Sequence, residues 1–178
     1  MQQPNEKSFQ RRQFIHTAAM AGAAAIAAPV LGRVLTQAAG SSQIKVALIG
    51  CGGRGTGAAE QALKADPGVV IWVMADTFAD RIESAHAELT KRPEGSRVMV
   101  PPERRFTGFD AGKLACASDV DVVILATAPY FRPMHLRAAV DAGKNIFCEK
   151  PMFTDAAGAQ IVIQCIEDAR AKKLQFMS

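Results

Sequence analysis

The stretch IKVALIGCGGRGTGAAEQALKA, residues 44–65, decides the fold. Its first six residues form an apolar run of strand length. TGAAEQALKA (56–65) is rich in helix formers and is closed by Asp66, Pro67 and Gly68. Between the two, Gly50, Gly52 and Gly55 are spaced G-x-G-x-x-G. In a strand–turn–helix context each glycine has a physical task. Gly50 permits the tight turn, Gly52 lets the main chain approach a pyrophosphate, and Gly55 lets helix and strand pack closely. The helix N-terminus then faces the phosphate charge. The loop Gly50, Cys51, Gly52, Gly53, Arg54 and Gly55 is therefore expected to bind the phosphates of a dinucleotide. Asp76, 21 residues beyond Gly55, closes the next apolar run, VVIWVMA (69–75). A carboxylate there accepts hydrogen bonds from the adenosine ribose hydroxyls. It also repels a 2′-phosphate, and Thr77 and Phe78 supply no adjacent cation. NAD is expected ahead of NADP, with Arg81 the residue that would have to swing in for NADP.

The alternation of strand and helix continues outward from this unit. FADRIESAHAELTKR (78–92) places Phe78, Ile82, Ala85 and Leu89 on one helical face. PEGSRVMVPPERRFTG (93–108) reads mostly as loop, with a short strand near Arg105 to Thr107. DAGKLACAS (110–118) is a short helix, DVVILAT (121–127) a buried strand, and PMHLRAAVDA (133–142) a helix that Gly143 stops. NIFC (145–148) is the next strand, Thr154 is expected to cap a helix running to about Lys173, and LQFM (174–177) begins a further strand. Strands this apolar need cover on both faces. The fold class expected is α/β, a doubly wound parallel sheet of the Rossmann type. In such sheets ligands bind at the carboxyl ends of the strands. Glu149, Lys150 and Pro151 follow the fifth strand directly, which aims Lys150 at a bound ligand and not at the core.

Bulk composition excludes other classes. The sequence pI is about 9.0, but the charge is uneven. Residues 1–40 hold Lys7, Arg11, Arg12 and Arg33 against Glu6, a net +3 of the total +4. A near-neutral body has no footprint for a nucleic-acid backbone. Aromatic residues make up 6% of the chain, too few for base-stacking platforms. SFQRRQFIHTAAMAGAAAIAAPVLG begins with Arg11 and Arg12 and continues into a weakly apolar run, short of a bilayer span. It resembles a twin-arginine (Tat) export leader, with one residue more than usual between Ser8 and Arg11. Residues 1–40 are thus expected to be leader and linker, read by the Tat machinery, and residues 41–178 the folded domain of an exported, periplasmic protein. Cys51, Cys116, Cys148 and Cys165 show no metal-ligand spacing and are expected to be small buried thiols, with no metal site.

AGKNIFCEKP (142–151) resembles the A-G-K-x-[VI]-x-x-E-K-P signature of the Gfo/Idh/MocA oxidoreductases. The glycine loop, Asp76 and DVVILAT fall in matching order, and the resemblance covers residues 44–178. It implies hydride transfer between a nicotinamide cofactor and a hydroxyl of a sugar or polyol. It further implies that Lys150 is catalytic, at the nicotinamide and substrate hydroxyl, that Glu149 pairs with or orients that region, and that Thr127 lines the cofactor. One departure matters. Family members often carry T-P-N-x-x-H after the fourth strand, whereas here Thr127 precedes His135 by eight residues, three more than usual. His135 is left open between a place near the nicotinamide and a buried structural role. Family members also carry a second α/β domain, which holds the acid/base and most substrate contacts. The chain is expected to be a truncated product or fragment, inactive alone and a homo-oligomer when full length. Three other readings remain: an NAD-dependent glycosidase of related fold, a non-catalytic nucleotide-binding fragment, and an S-adenosylmethionine methyltransferase, which E-K-P disfavours.

Overall fold

The computed structural model describes residues 43–178. The leader expected at residues 1–40 lies outside them. Apolar segments and their punctuation become six strands and five helices among the described residues: β1 (Ile44–Ile49), α1 (Gly53–Ala65), β2 (Val69–Asp76), α2 (Ala79–Thr90), β3 (Arg105–Thr107), α3 (Ala111–Ala117), β4 (Val122–Leu125), α4 (Arg132–Asp141), β5 (Asn145–Cys148), α5 (Ala156–Ala171) and β6 (Phe176–Met177). Three short 3₁₀ turns fill the longer connections. All strand pairs are parallel, in the order β3-β2-β1-β4-β5-β6. The order reverses beside β1, and this reversal opens a crevice at the carboxyl ends of β1 and β4.

Alternating side chains divide the core by face. Val46, Leu48, Met74 and Ile124 pack beneath α1 and α2, on Ala59, Leu63, Ile82, Ala85 and Leu89. Ala47, Ile49, Val73, Val123, Leu125 and Cys148 face the other way, onto α3, α4 and α5. Both faces are covered, which is why these strands carry so few polar residues. All four cysteines are free and buried. Burial pushes the Cys51 and Cys116 thiols up to about 12 and Cys148 up to about 11, so none is a reactive thiolate near neutral pH.

Two local expectations are corrected. Phe78 does not share the buried face of α2. It is the residue before the helix, 62% exposed, and its backbone is extended. The hydrophobic period runs through it only by coincidence. The cap of α5 is Asp155, whose Oδ1 accepts from Gly158 N at 2.6 Å, and not Thr154. Its charged oxygen answers the unpaired N–H groups and the positive end of the helix dipole. Gly143 ends α4 with φ +69, as expected.

Candidate dinucleotide-binding site

A cleft of about 310 Å³ opens at the carboxyl ends of β1, β2 and β4. Its floor is the glycine loop, and the three motif glycines answer to different demands. Gly50 has φ +97, and a Cβ there would lie 2.6 Å from Ala126 C and Thr127 N. A Cβ on Gly55 would collide with Gly50 O. The fold itself therefore requires both. Gly52 differs: a Cβ would meet nothing closer than Arg81 Nη1 at 3.5 Å, an ordinary contact. Packing does not require a glycine at this position, but the open cleft in front of it does once a ligand's phosphates must reach the main chain.

Asp76 ends β2 at the cleft wall. Its Oδ2 accepts from Cys51 N at 2.7 Å and its Oδ1 from Phe78 N at 3.1 Å. The carboxylate thus clamps the glycine loop to the start of α2 and keeps lone pairs for further donors. Cys51 contributes through its backbone only; its side chain is 3% exposed. Beyond Asp76 the wall is made by Thr77, Phe78 and Arg81 on one side and by Gly108 and Phe109 on the other.

At the opposite end stand Thr127, Phe131 and His135. The three additional residues after β4 are absorbed by the 3₁₀ turn Pro129–Phe131 and the start of α4. His135 consequently still meets Thr127, with Nδ1 and Oγ1 3.1 Å apart. It is also buried, at 8% exposure, on the wall of the cleft, so the buried role left open for it is the one observed. Burial lowers its pKa, and the ring is neutral at pH 7. Its far edge fills the space over Gly112, where a Cβ would come within 2.6 Å of Cδ2.

Known proteins share this fold. The family model of the Gfo/Idh/MocA oxidoreductases, with its NAD-binding Rossmann fold, matches residues 44–176. The chain belongs to that family. An inositol 2-dehydrogenase of Rhodococcus erythropolis is 32% identical over 134 residues, covering 75% of this chain and 35% of that protein. The myo-inositol 2-dehydrogenase of Lactobacillus plantarum superposes with TM-score 0.61 at 23% identity, over 76% of this chain and 36% of that one. A Synechocystis biliverdin reductase, solved with biliverdin and NADP+, superposes with TM-score 0.57 at 15% identity, over 75% of this chain and 37% of that one. The chain spans about a third of the length of the curated relatives it matches. The domain is the NAD(P)-binding Rossmann domain of the family.

The remaining family residues are placed as follows. Gly50, Gly52, Asp76 and Thr127 line the cleft, whereas Cys51, Gly53, Arg54, Gly55, Glu149 and Lys150 do not. Lys150 is exposed at the end of β5. Glu149 turns away from it. Its side chain is buried on the α1 side, with Oε1 2.8 Å from Arg54 Nη2 in a charge contact not aligned as a hydrogen bond. Arg54 is 66% exposed and engaged by that carboxylate. Sequence reasoning missed Gly108, Phe109 and Phe131. A rule was available: every strand's carboxyl end borders the crevice, so residues just past β3 and β4 were candidates. It also missed Arg132, which no motif marks.

Proposed function

We propose that this chain is the cofactor-binding half of an enzyme that transfers hydride between NAD and a hydroxyl of a sugar or polyol. The observation that carries the reading is Gly52: a glycine that packing does not demand, in front of an open cleft, beside the tethered carboxylate of Asp76. The family match supports the reaction class, and the inositol dehydrogenases among its relatives support a polyol substrate. A bound nicotinamide supplies the hydride acceptor. Lys150, at the end of β5, stabilises the oxygen of the carbinol as negative charge develops on it. Thr127 and His135 wall the nicotinamide end. Asp76 favours the free ribose hydroxyls of NAD over a 2′-phosphate. The general base and the substrate wall come from outside the cofactor-binding domain, so that domain turns over no polyol by itself. The complete enzyme assembles as a homo-oligomer.

The test is titration of the purified chain with NAD and NADP, together with turnover by an enzyme that joins this half to a substrate domain. Lys150→Ala is expected to lower the rate by about 10²–10³-fold, as for loss of one oxyanion-stabilising group. Failure of the wild-type chain to bind either dinucleotide, or inositol oxidation by the 178-residue chain alone, would overturn the reading. We further propose that residues 1–40 are a twin-arginine leader and that the enzyme works in the periplasm. Arg11, Arg12 and the short apolar run after them support this. Changing both arginines to lysine holds the precursor in the cytoplasm; equal periplasmic yield would refute the assignment.

A further inference from the structure

Arg132 is an unusual residue at the end of the sheet. It is 5% exposed, and no carboxylate of the described residues forms an ion pair with it. Burying a guanidinium without a counter-charge is costly unless its donors are well met. Here Nε and Nη1 are met by carbonyls alone. Nε donates to Thr127 O at 2.8 Å. Nη1 donates to Glu149 O at 2.7 Å and to Pro151 O at 2.5 Å. The first acceptor lies on the cleft wall. The other two stand immediately before and after Lys150. Among the described residues Lys150 Nζ has neither a hydrogen bond nor an ion pair. Its side chain is thus located by its backbone alone, and the backbone on both flanks is held by one guanidinium. A planar fork spans three acceptors on two loops; the single ammonium of a lysine reaches fewer at once.

We infer that Arg132 is the positioning residue for Lys150, fixing the turn after β5 against Thr127 so that the ammonium stands at the nicotinamide end of the cleft. The inference rests on the reading of Lys150 given above, and the experiment separates the two. ADP-ribose fills the adenosine and phosphate part of the site and reports on that part and on the fold. NADH adds the nicotinamide end. Both are titrated by calorimetry into the 178-residue chain and its variants. Lys150→Ala is expected to weaken NADH about tenfold and to leave ADP-ribose unchanged, the loss expected for one hydrogen bond from a charged donor. Arg132→Met should shift NADH in the same direction, by about threefold or more, again sparing ADP-ribose. Arg132→Lys should fall between Arg132→Met and wild type, and it carries the test if Arg132→Met does not fold. The double variant Arg132→Met/Lys150→Ala should be no weaker for NADH than Lys150→Ala alone, because the arginine acts through the lysine. Equal losses for both ligands in the Arg132 variants would make the arginine merely structural and overturn the inference. Multiplying losses in the double variant would overturn it too, as would full NADH affinity in Arg132→Lys. An unchanged NADH affinity in Lys150→Ala would instead remove the reading of Lys150, and the inference with it.

Discussion

Gly52→Val isolates the ligand's demand on the glycine loop from the fold's. Gly52 is the residue before α1, with φ −72 and ψ 178, a backbone any residue adopts. A Cβ would sit 3.5 Å from the mobile end of Arg81. The fold should tolerate valine at a cost of no more than about 1 kcal/mol, the scale of a helix-cap change. The γ-methyls, however, extend into the space a pyrophosphate must occupy. Losing two main-chain N–H bonds to charged oxygens removes about 3–6 kcal/mol, or about 10²–10⁴-fold in affinity. Gly50→Ala is the contrasting variant. There φ is +97, and the new Cβ meets Ala126 and Thr127 backbone at 2.6 Å. Strain and forced backbone movement cost about 2–3 kcal/mol, a fall of roughly 7–10 °C in Tm for a domain of this size. Calorimetric titration with NAD and thermal unfolding by circular dichroism read both quantities. Gly52→Val should lose the ligand and keep its Tm; Gly50→Ala should lose Tm. Undiminished NAD affinity in Gly52→Val would refute the phosphate-cradle argument.

Asp76→Asn removes the charge and leaves a single acceptor oxygen for Cys51 N and Phe78 N, so NADP affinity should rise relative to NAD at some cost in Tm, and Asp76→Ser with Thr77→Arg should carry the preference further; competitive titration decides, and a wild-type preference for NADP would contradict it. His135 has its pKa lowered by burial from 6.5, so the stability it confers is complete above about pH 6.5 and is lost as pH falls through that value toward the folded pKa. Tm should accordingly drop between about pH 7.5 and about pH 5.5, less steeply in His135→Gln; parallel profiles would place the proton uptake elsewhere.

The legible parts of this molecule are those written in local runs. The strands were readable because each is a short, nearly uninterrupted apolar segment between turn residues, and Ile82, Ala85 and Leu89 because they recur at helical spacing. The same period gathered in Phe78, although the chain is still extended there. Periodicity reports what would share a face if the helix extended that far; it does not say where the helix begins. The Thr154 and Asp155 pair shows a similar limit. Both are good caps, and only the observed register shows which oxygen meets Gly158 N. The G-x-G-x-x-G motif was legible as a whole, but its division of labour was not. Gly55 is fixed by its contact with Gly50 O across the turn, and Gly50 by contacts with Ala126 and Thr127 that exist only after β1 and β4 pair. Arg132 was invisible for a related reason. Its acceptors lie 5, 17 and 19 residues away and are main-chain carbonyls, which every sequence has. The extra residues before His135 looked like a disruption, since spacing alone cannot show that a 3₁₀ turn will absorb them.

Arg54 tests whether a basic residue in a glycine loop serves the phosphates directly. Its position suggests so, and α1 begins one residue earlier. Its guanidinium, however, lies 2.8 Å from Glu149 Oε1, and Glu149 is 5% exposed on its side chain while Arg54 is 66% exposed. A buried carboxylate needs a cation more than a solvated arginine needs an anion. The pyrophosphate would then be held by the N-terminal N–H groups of α1, where no counter-ion is required. Arg54→Met should accordingly act on stability. Removing one partner of a buried ion pair costs about 3–5 kcal/mol. Because Arg54 is mostly in water, screening reduces this to about 1–2 kcal/mol, or roughly 3–7 °C in Tm. Adding Glu149→Gln removes the stranded charge and should recover most of the loss. NAD affinity should change by no more than about threefold in either variant, since no bond to the phosphates is lost. An unchanged Tm together with a large loss of NAD affinity in Arg54→Met would show that the guanidinium leaves Glu149 for the pyrophosphate.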